Sequence, residues 1–315
     1  MNSQITNSIL MIRPIQFRMN EQTAVNNYYQ KVLGNLSPSA INSKAVQEFD
    51  AFVDKLRAVG IQVIVMSDTQ EFDTPDSIFP NNWISFHNNG SIALYPMFAK
   101  NRRLERKESI LEGVEKQGFL INSVHDYTNA EAASVFLEGT GSVILDRINR
   151  KAYCALSSRA DEGLFIEFCE DFDYFPVIFS AYQTVAEARK KIYHTNVMMC
   201  VGDRFAVVCL ASIDDKKERK NVLMHLKQDG KQIIDISESQ VHQFAGNMLQ
   251  LKGSDEIPYL VMSQSAFDCL EPAQIKVLEN HGSIISSPLP TIEACGGGSA
   301  RCMMAEIFLP KATKI

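Results

Sequence analysis

What most constrains the fold is a repeated order of helix, stop and short strand. In SKAVQEFDAFVDKLRAVG the apolar residues at 46, 49, 52, 53 and 56 keep a helical period, which ends at Gly60 and gives way to the β-rich IQVIVMS. The same order recurs in ESILEGVEKQGFLINSV around Gly118, NVLMHLKQDGKQIIDIS around Gly230 and EPAQIKVLENHGSIISS around Gly282. FIEFCEDFDYFPVIFS, near Tyr174, repeats it more loosely. The five turning points are spaced by about 55 residues, and a fixed spacing of this kind marks a chain built from like units.

Between these units lie pairs of alternating strands. NWISFHNNGSIALYP turns at Asn89-Gly90, a strong hairpin signal, and GSVILDRINRKAYCALS turns near Asn149. VMMCVGDRFAVVCLA turns at Gly202-Asp203, and NMLQLKGSDEIPYLVMS turns around Gly253. A fifth pair is completed only by joining the last strand, CMMAEIFL, to the first, NSILMIR. A fivefold ring closed by its two ends is therefore expected, an α/β propeller of five ββαβ units over residues 1–315. Each unit is read as two hairpin strands, a helix and an inner strand, after which the chain crosses toward the middle of the ring. Such closure leaves no open sheet edge at the seam. The competing reading is a two-domain α/β protein whose spacing is regular by accident.

The 315 residues carry a net charge of -6 with a pI near 5.6, so no basic footprint for nucleic acid or an anionic membrane is present. The charged runs KNRRLERK and DDKKERK read as solvated faces. The longest apolar run, FAVVCLASI, is far short of the roughly 20 residues that span a bilayer. No basic region precedes the short apolar run of MNSQITNSILMIRP, so no secretory signal is expected and the cytoplasm is the expected compartment. Of seven cysteines, Cys154, Cys169, Cys200 and Cys209 sit in apolar surroundings and read as buried free thiols. The six histidines fall singly, without ligand spacing, so neither metal nor cofactor is expected.

The polar residues cluster immediately ahead of each hairpin. Asn81 and Asn82 stand in FPNNW, Glu138 in LEGTGS, His194 and Asn196 in YHTNVM, Asn247 in AGNML, and Cys302 in SARCM. In a closed ring these points converge on one central site. Each has an ordinary explanation alone, as a buried thiol, a core histidine or a loop cap; their shared place in the repeat gives them joint meaning. A thiolate beside an imidazolium is a strong nucleophile. His194 supplies a proton-transfer group, and Glu138 orients a planar NH-bearing group or assists the transfer. Gly296 to Gly298 let backbone come close to the reacting carbon and offer N–H groups to developing charge. QFRMNEQTAVNN, after the first strand, is a candidate lid.

From IRPIQF to GGGSARCM the chain resembles the penteins, guanidino-group-modifying enzymes, with EGTGS, HTN and the terminal GGG-x-x-x-C in the same order. The resemblance implies a five-bladed α/β propeller with pseudo-fivefold symmetry, Cys302 as nucleophile, His194 as acid/base and Glu138 as substrate-binding carboxylate. LSSRAD is similar to an S-x-R-T segment whose arginine holds an α-carboxylate, which implies that role for Arg159, although Ala160 replaces the threonine. Deiminases of this group pair two aspartates on a cationic guanidinium; here those positions hold Asn82 and Asn196. Carboxamides carry no charge and offer donors as well as acceptors, which suits a neutral ureido group. Within the wider group FPNNW, HTN and EACGGGSARCM resemble the citrulline-utilisation branch, and the resemblance implies that branch's activity. Citrulline would be hydrolysed to ornithine, carbon dioxide and ammonia through a covalent Cys302 intermediate, with Asn81, Asn82, Asn196, Asn247 and Arg159 binding the substrate. The alternatives are a deiminase or amidinotransferase acting on a guanidino compound, or a non-catalytic propeller that binds ribosomes or protein partners. The expected partner is a small molecule, and self-association into a homo-oligomer stays open.

Overall fold

The computed structural model describes residues 3–312, so the first two residues of the amino-terminal stretch read above lie outside it. Strand β1 (Ser8–Arg13) is followed by the helix Pro38–Ala58 and by β2 (Gln62–Ser67), which runs parallel to β1. The hairpin β3 (Ile84–Phe86) and β4 (Ser91–Leu94) is followed by the helix Glu108–Lys116 and β5 (Ser123–Asp126), parallel to β4. The order repeats with β6 (Val143–Asp146), β7 (Lys151–Ala155), the helix Glu162–Asp171 and β8 (Phe175–Phe179). An extra hairpin, β9 (Tyr182–Val185) with β10 (Ala188–Lys191), precedes the next unit. That unit is β11 (Met199–Val201), β12 (Phe205–Val208), the helix Lys216–Gln228 and β13 (Gln232–Asp235). β14 (Leu249–Lys252), β15 (Pro258–Ser263), the helix Pro272–Glu279 and β16 (Ser283–Ser287) follow. Finally β17 (Ala305–Glu306) pairs antiparallel with β1, placing Ile9 opposite Glu306 and Leu10 opposite Ala305. The expected seam between the two ends of the chain is thus present. Among the described residues there are five three-stranded sheets of one build, an antiparallel pair and then a parallel pair.

Local chemistry explains the repetition. Ser37, Asp161 and Asp215 cap their helices by accepting backbone N–H bonds in the first turn. The stops need a left-handed residue: Gly60, Gly118 and Gly230 adopt φ of +82°, +86° and +71°. In the looser repeat Asp173 takes that role at φ +57°, which is why no glycine marks it. The helix faces then fill the core, with Phe49, Phe52 and Leu56 packed among Ile9, Met11 and Val63.

The expected order of strands within a unit needs correction. The strand after the helix is not the inner one: β5 and β13 are largely exposed and β16 half-buried, whereas the first hairpin strands β3 and β6 are fully buried. A parallel strand paired on one side only forms the rim of its sheet, while β6 lies against β11 and β17 against β3. The chain therefore comes in from the rim before each first strand. All the polar clusters read from the sequence sit on these incoming segments.

Candidate active site

Four of the five incoming segments end in a short helical turn that aims side chains inward; the fifth, which carries Asn247, ends without one. Pro80–Asn82, Thr195–Val197 and Ala300–Met303 are 3-10 turns, and Glu138 directly precedes the turn Gly139–Ser142. The turns are held to one another: Thr195 Oγ1 donates to the Ser142 carbonyl, and Thr140 Oγ1 donates to the Asn81 carbonyl at 3.3 Å.

Cys302 is buried and has two amide donors on its sulfur, Asn196 Nδ2 at 3.4 Å and Asn247 Nδ2 at 3.3 Å. Asn247 is fixed from both ends, since its Oδ1 accepts from Arg301 N at 3.0 Å and its Nδ2 also donates to the Asn196 carbonyl. Asn196 Oδ1, by contrast, is buried with no partner. Beside the thiol, His194 Nε2 lies 2.7 Å from Glu138 Oε2. Glu138 is fully buried and also accepts from Phe98 N at 2.9 Å and from Arg159 Nη1 at 3.4 Å. Burial alone would push this carboxyl up, but Arg159, His194 and Arg102 outweigh it and hold it at about 2. Burial dominates for His194 and lowers it to about 4, against the opposing pull of Glu138. The resting pair is a neutral imidazole donating from Nε2 to a carboxylate, which leaves the lone pair on Nδ1. The sulfur's hydrogen-bond partners are thus carboxamides, not the imidazolium expected from the sequence.

Asn82 lies on the same cavity. Its Oδ1 accepts from Arg102 Nη1 at 2.7 Å, and its Nδ2 is buried without a partner. Asn81 is not among the cavity-lining residues, nor are Glu138, Asn196 and Asn247, which reach the site through their bonds to His194 and Cys302; both polar atoms of the buried Asn81 side chain are unpartnered. Arg159 does reach the cavity, under the ring of Tyr193 at 4.9 Å. Its head is held by the candidate lid: Nη2 donates to the Thr23 carbonyl at 3.0 Å, and Nε donates to Asn26 Oδ1 at 3.0 Å. Thr23 and Asn27 of that segment line the cavity, whose volume is only about 10 Å³. The candidate lid segment thus packs directly on the residues that line the cavity.

The glycines of GGGSARC serve this packing. A Cβ on Gly296 would lie 2.6 Å from the Phe79 ring, and one on Gly297, at φ +62°, would lie 2.5 Å from the Asn27 amide. They admit Phe79 and the lid, where the sequence suggested close approach to the reacting carbon. Tyr193 Oη donates to the Gly297 carbonyl at 2.7 Å, pinning the loop above its own neighbour His194.

Three cavity residues escaped the sequence reading. Asp76 lies in the stretch TPDSIFP; its Oδ2 accepts from Asn20 and Thr23 of the lid, and its Oδ1 is buried without a partner. Its signal was an acid three residues before FPNNW. Arg102 belongs to KNRRLERK, which was read as a solvated face; Arg102 and Glu105 are in fact 2% and 3% exposed. Their turn, Lys100–Glu105, folds inward because Arg102 and Glu105 neutralise each other in a two-pronged pair at 2.9 Å. Tyr193, next to His194, had no separate signal. In contrast DDKKERK is solvated as expected, and Cys154, Cys169, Cys200 and Cys209 are buried free thiols.

Compared with known families, residues 13–309 match the model of N,N dimethylarginine dimethylhydrolase, eukaryotic. The chain belongs to this family. The N,N dimethylarginine dimethylhydrolase family falls among the guanidino-modifying penteins, as the resemblance in the sequence implied. Solved structures share the fold at low identity. ArgZ, an arginine dihydrolase from the ornithine-ammonia cycle in cyanobacteria, superposes with a TM-score of 0.71 at 17% identity, covering 97% of this chain and 41% of that one. The binary complex of an AgrE mutant with L-arginine gives 0.73 at 17% identity, covering 98% and 41%. A dimethylarginine dimethylaminohydrolase adduct with S-methyl-L-thiocitrulline gives 0.62 at 14% identity, covering 96% and 100%. The chain spans about two fifths of the ArgZ and AgrE chains, and 99% of the separate ArgZ amino-terminal domain. No curated protein matches it by sequence. None of the described helices is long and apolar enough to cross a membrane.

Proposed function

We propose that this family member is a C–N hydrolase that splits the ureido group of citrulline, giving ornithine, carbon dioxide and ammonia. The observation that carries the reading is a pair of buried, unpartnered amide atoms: Asn82 Nδ2, a donor, and Asn196 Oδ1, an acceptor. A ureido group offers one carbonyl oxygen and N–H donors, and so complements that pair. A guanidinium offers donors only and leaves Asn82 Nδ2 facing another N–H, with the desolvation cost of an unmade bond. Arg159 and Asp76, which also line the cavity, suit an α-carboxylate and an α-ammonium.

The chemistry then runs through this chain's own groups. Cys302 Sγ attacks the ureido carbon as its proton passes to His194. The imidazolium so formed is stabilised by Glu138 and protonates the leaving amine, so the C–N bond breaks and ornithine departs. Water, deprotonated by His194, attacks the S-carbamoyl carbon; the C–S bond breaks, the imidazolium returns its proton to the leaving Cys302 sulfur, and the released carbamate decays to carbon dioxide and ammonia. Asn196 and Asn247 donate to the sulfur while it carries charge. The reading takes the five sheets as blades of one pseudo-fivefold propeller over residues 1–315, and takes the free thiols to fit a reducing, cytoplasmic setting.

A second reading, hydrolysis of a guanidino compound, is favoured by the names of the family and its structural neighbours and by the carboxylate of Asp76 in the cavity. A panel of citrulline, arginine and methylated arginines separates the two. Ornithine and ammonia from citrulline, with a carbamoyl adduct on Cys302 after acid quench, supports the ureido reading. Consumption of arginine with an amidino adduct, and none of citrulline, rejects it.

A further inference from the structure

Asn82 is useful to a ureido substrate only if its carboxamide is held one way round. An asparagine side chain turned over exchanges donor for acceptor at nearly the same place, so something must fix the choice. Arginine carries five N–H donors and no acceptor. Whatever it touches on Asn82 must be the oxygen. Arg102 Nη1 makes that contact at 2.7 Å, and Arg102 is itself immobilised. Its Nε and Nη2 donate to the two oxygens of Glu105 at 2.9 Å each, and Nη2 also donates to the Phe79 carbonyl at 3.0 Å. The remaining side of the Asn82 amide, its NH2, then faces Gly141 and His194 Nδ1 across a space that a Cβ would fill.

We infer that Arg102, braced by Glu105, is a positioning residue for substrate choice. It locks Asn82 with its NH2 toward the reacting group, so that the position donates to a ureido oxygen and opposes a guanidinium. The inference rests on the ureido reading. It differs from a direct role for Arg102 in holding the substrate, because such a role would treat citrulline and arginine alike. It also explains why a charged pair is carried into the interior next to a neutral carboxamide, where one partner alone would be an uncompensated charge.

The test replaces both members of the pair, Arg102→Met with Glu105→Leu, because exchanging a buried ion pair for apolar groups of similar size preserves folding better than removing one charge. Arg102→Lys, which keeps one donor for Asn82 Oδ1, is the second variant. The quantity read is the ratio of citrulline to arginine kcat/KM, with the ratio of their Kd values on a Cys302→Ala background as a companion. With the amide free to turn over, the ratio is expected to fall by about tenfold or more in the double variant, and by less than about threefold in Arg102→Lys. A ratio within about twofold of wild type in a double variant that unfolds cooperatively overturns the inference, as does an equal loss for both substrates. If the double variant does not fold, Glu105→Gln replaces it; a fall in the same direction is required, and no change overturns the inference. Wild-type turnover of arginine in preference to citrulline sinks the ureido reading instead. The positioning claim is then still decided by whether the Kd ratio moves toward arginine on loss of the pair.

Discussion

Gly141 carries no side chain because two groups of the site occupy the space beside it. A Cβ there would sit 2.4 Å from Asn82 Nδ2 and 2.9 Å from His194 Nδ1, closer than real contacts allow. Gly141→Ala must therefore push the imidazole and the carboxamide apart. Since displacement of a reacting group by about 1 Å costs on the order of 10²-fold in rate, that loss in kcat is expected while the protein remains folded. Near-normal turnover in Gly141→Ala would mean that neither group needs its present place. The protonation of His194 gives a second prediction at this scale. Because burial lowers the imidazole to about 4 and Glu138 opposes the shift, kcat/KM should fall only as pH drops through about 4. Glu138→Gln removes the opposing pull, so the acid limb should move to still lower pH while the plateau drops for want of a counter-charge to the imidazolium. A limb near the ordinary 6.5, or one that moves upward in Glu138→Gln, contradicts the assignment.

The element placed to control access, on the lid reading, is the segment around Asn20 to Asn27. It is tied to the site by bonds that an amino-acid substrate would displace: Thr23 O and Asn26 Oδ1 on Arg159, and Asn20 and Thr23 on Asp76. The space left for water-sized groups is about 10 Å³, so an amino-acid substrate is expected to displace these bonds as it binds. Asn26→Ala deletes one acceptor from Arg159 without touching the nucleophile or the imidazole. The shut, empty form loses stability relative to the open one, which raises the binding-competent fraction. Amide exchange across residues 20–27 should quicken, and KM should fall several-fold at nearly constant kcat. Unchanged exchange in that variant would show that Asn26 is not a latch. Sequence pattern pointed to this segment as a candidate lid only because it follows the first strand. It gave no hint of the arginine beneath.

Across the whole molecule, what could be read in advance was whatever the repeat encodes locally. Helix stops, hairpin turns and the β1–β17 seam are each set by a few neighbouring residues, so five noisy copies reinforced one another. The place of Glu138, His194, Asn196, Asn247 and Cys302 followed from their position in the unit. Asp76 and Arg102 did not, since an acid or an arginine acquires its role from partners distant in sequence, and the same letters on a surface mean nothing. The burial of these groups has a consequence for stability that can be checked apart from activity. His194 is held neutral, at about 4 in the folded chain against 6.5 when unfolded. Its folded value is depressed, so the unfolded chain binds the proton first: stability is intact above pH 6.5 and is lost as pH falls from 6.5 toward 4. Glu138, depressed to about 2 from 4.5, has the same sign in a lower window, below pH 4.5. Asp76, Glu293 and Glu105, raised by burial and the last of them to about 7, work in the opposite sense, which blurs the total. A comparison isolates the histidine. His194→Asn removes its linkage, so the midpoint of the variant relative to wild type should rise as pH is lowered from 6.5 to 4.5, by an amount equivalent to a few kcal/mol. A difference that stays constant over that window would mean that His194 titrates normally in the folded chain, and the neutral imidazole beside Glu138 would have to be given up.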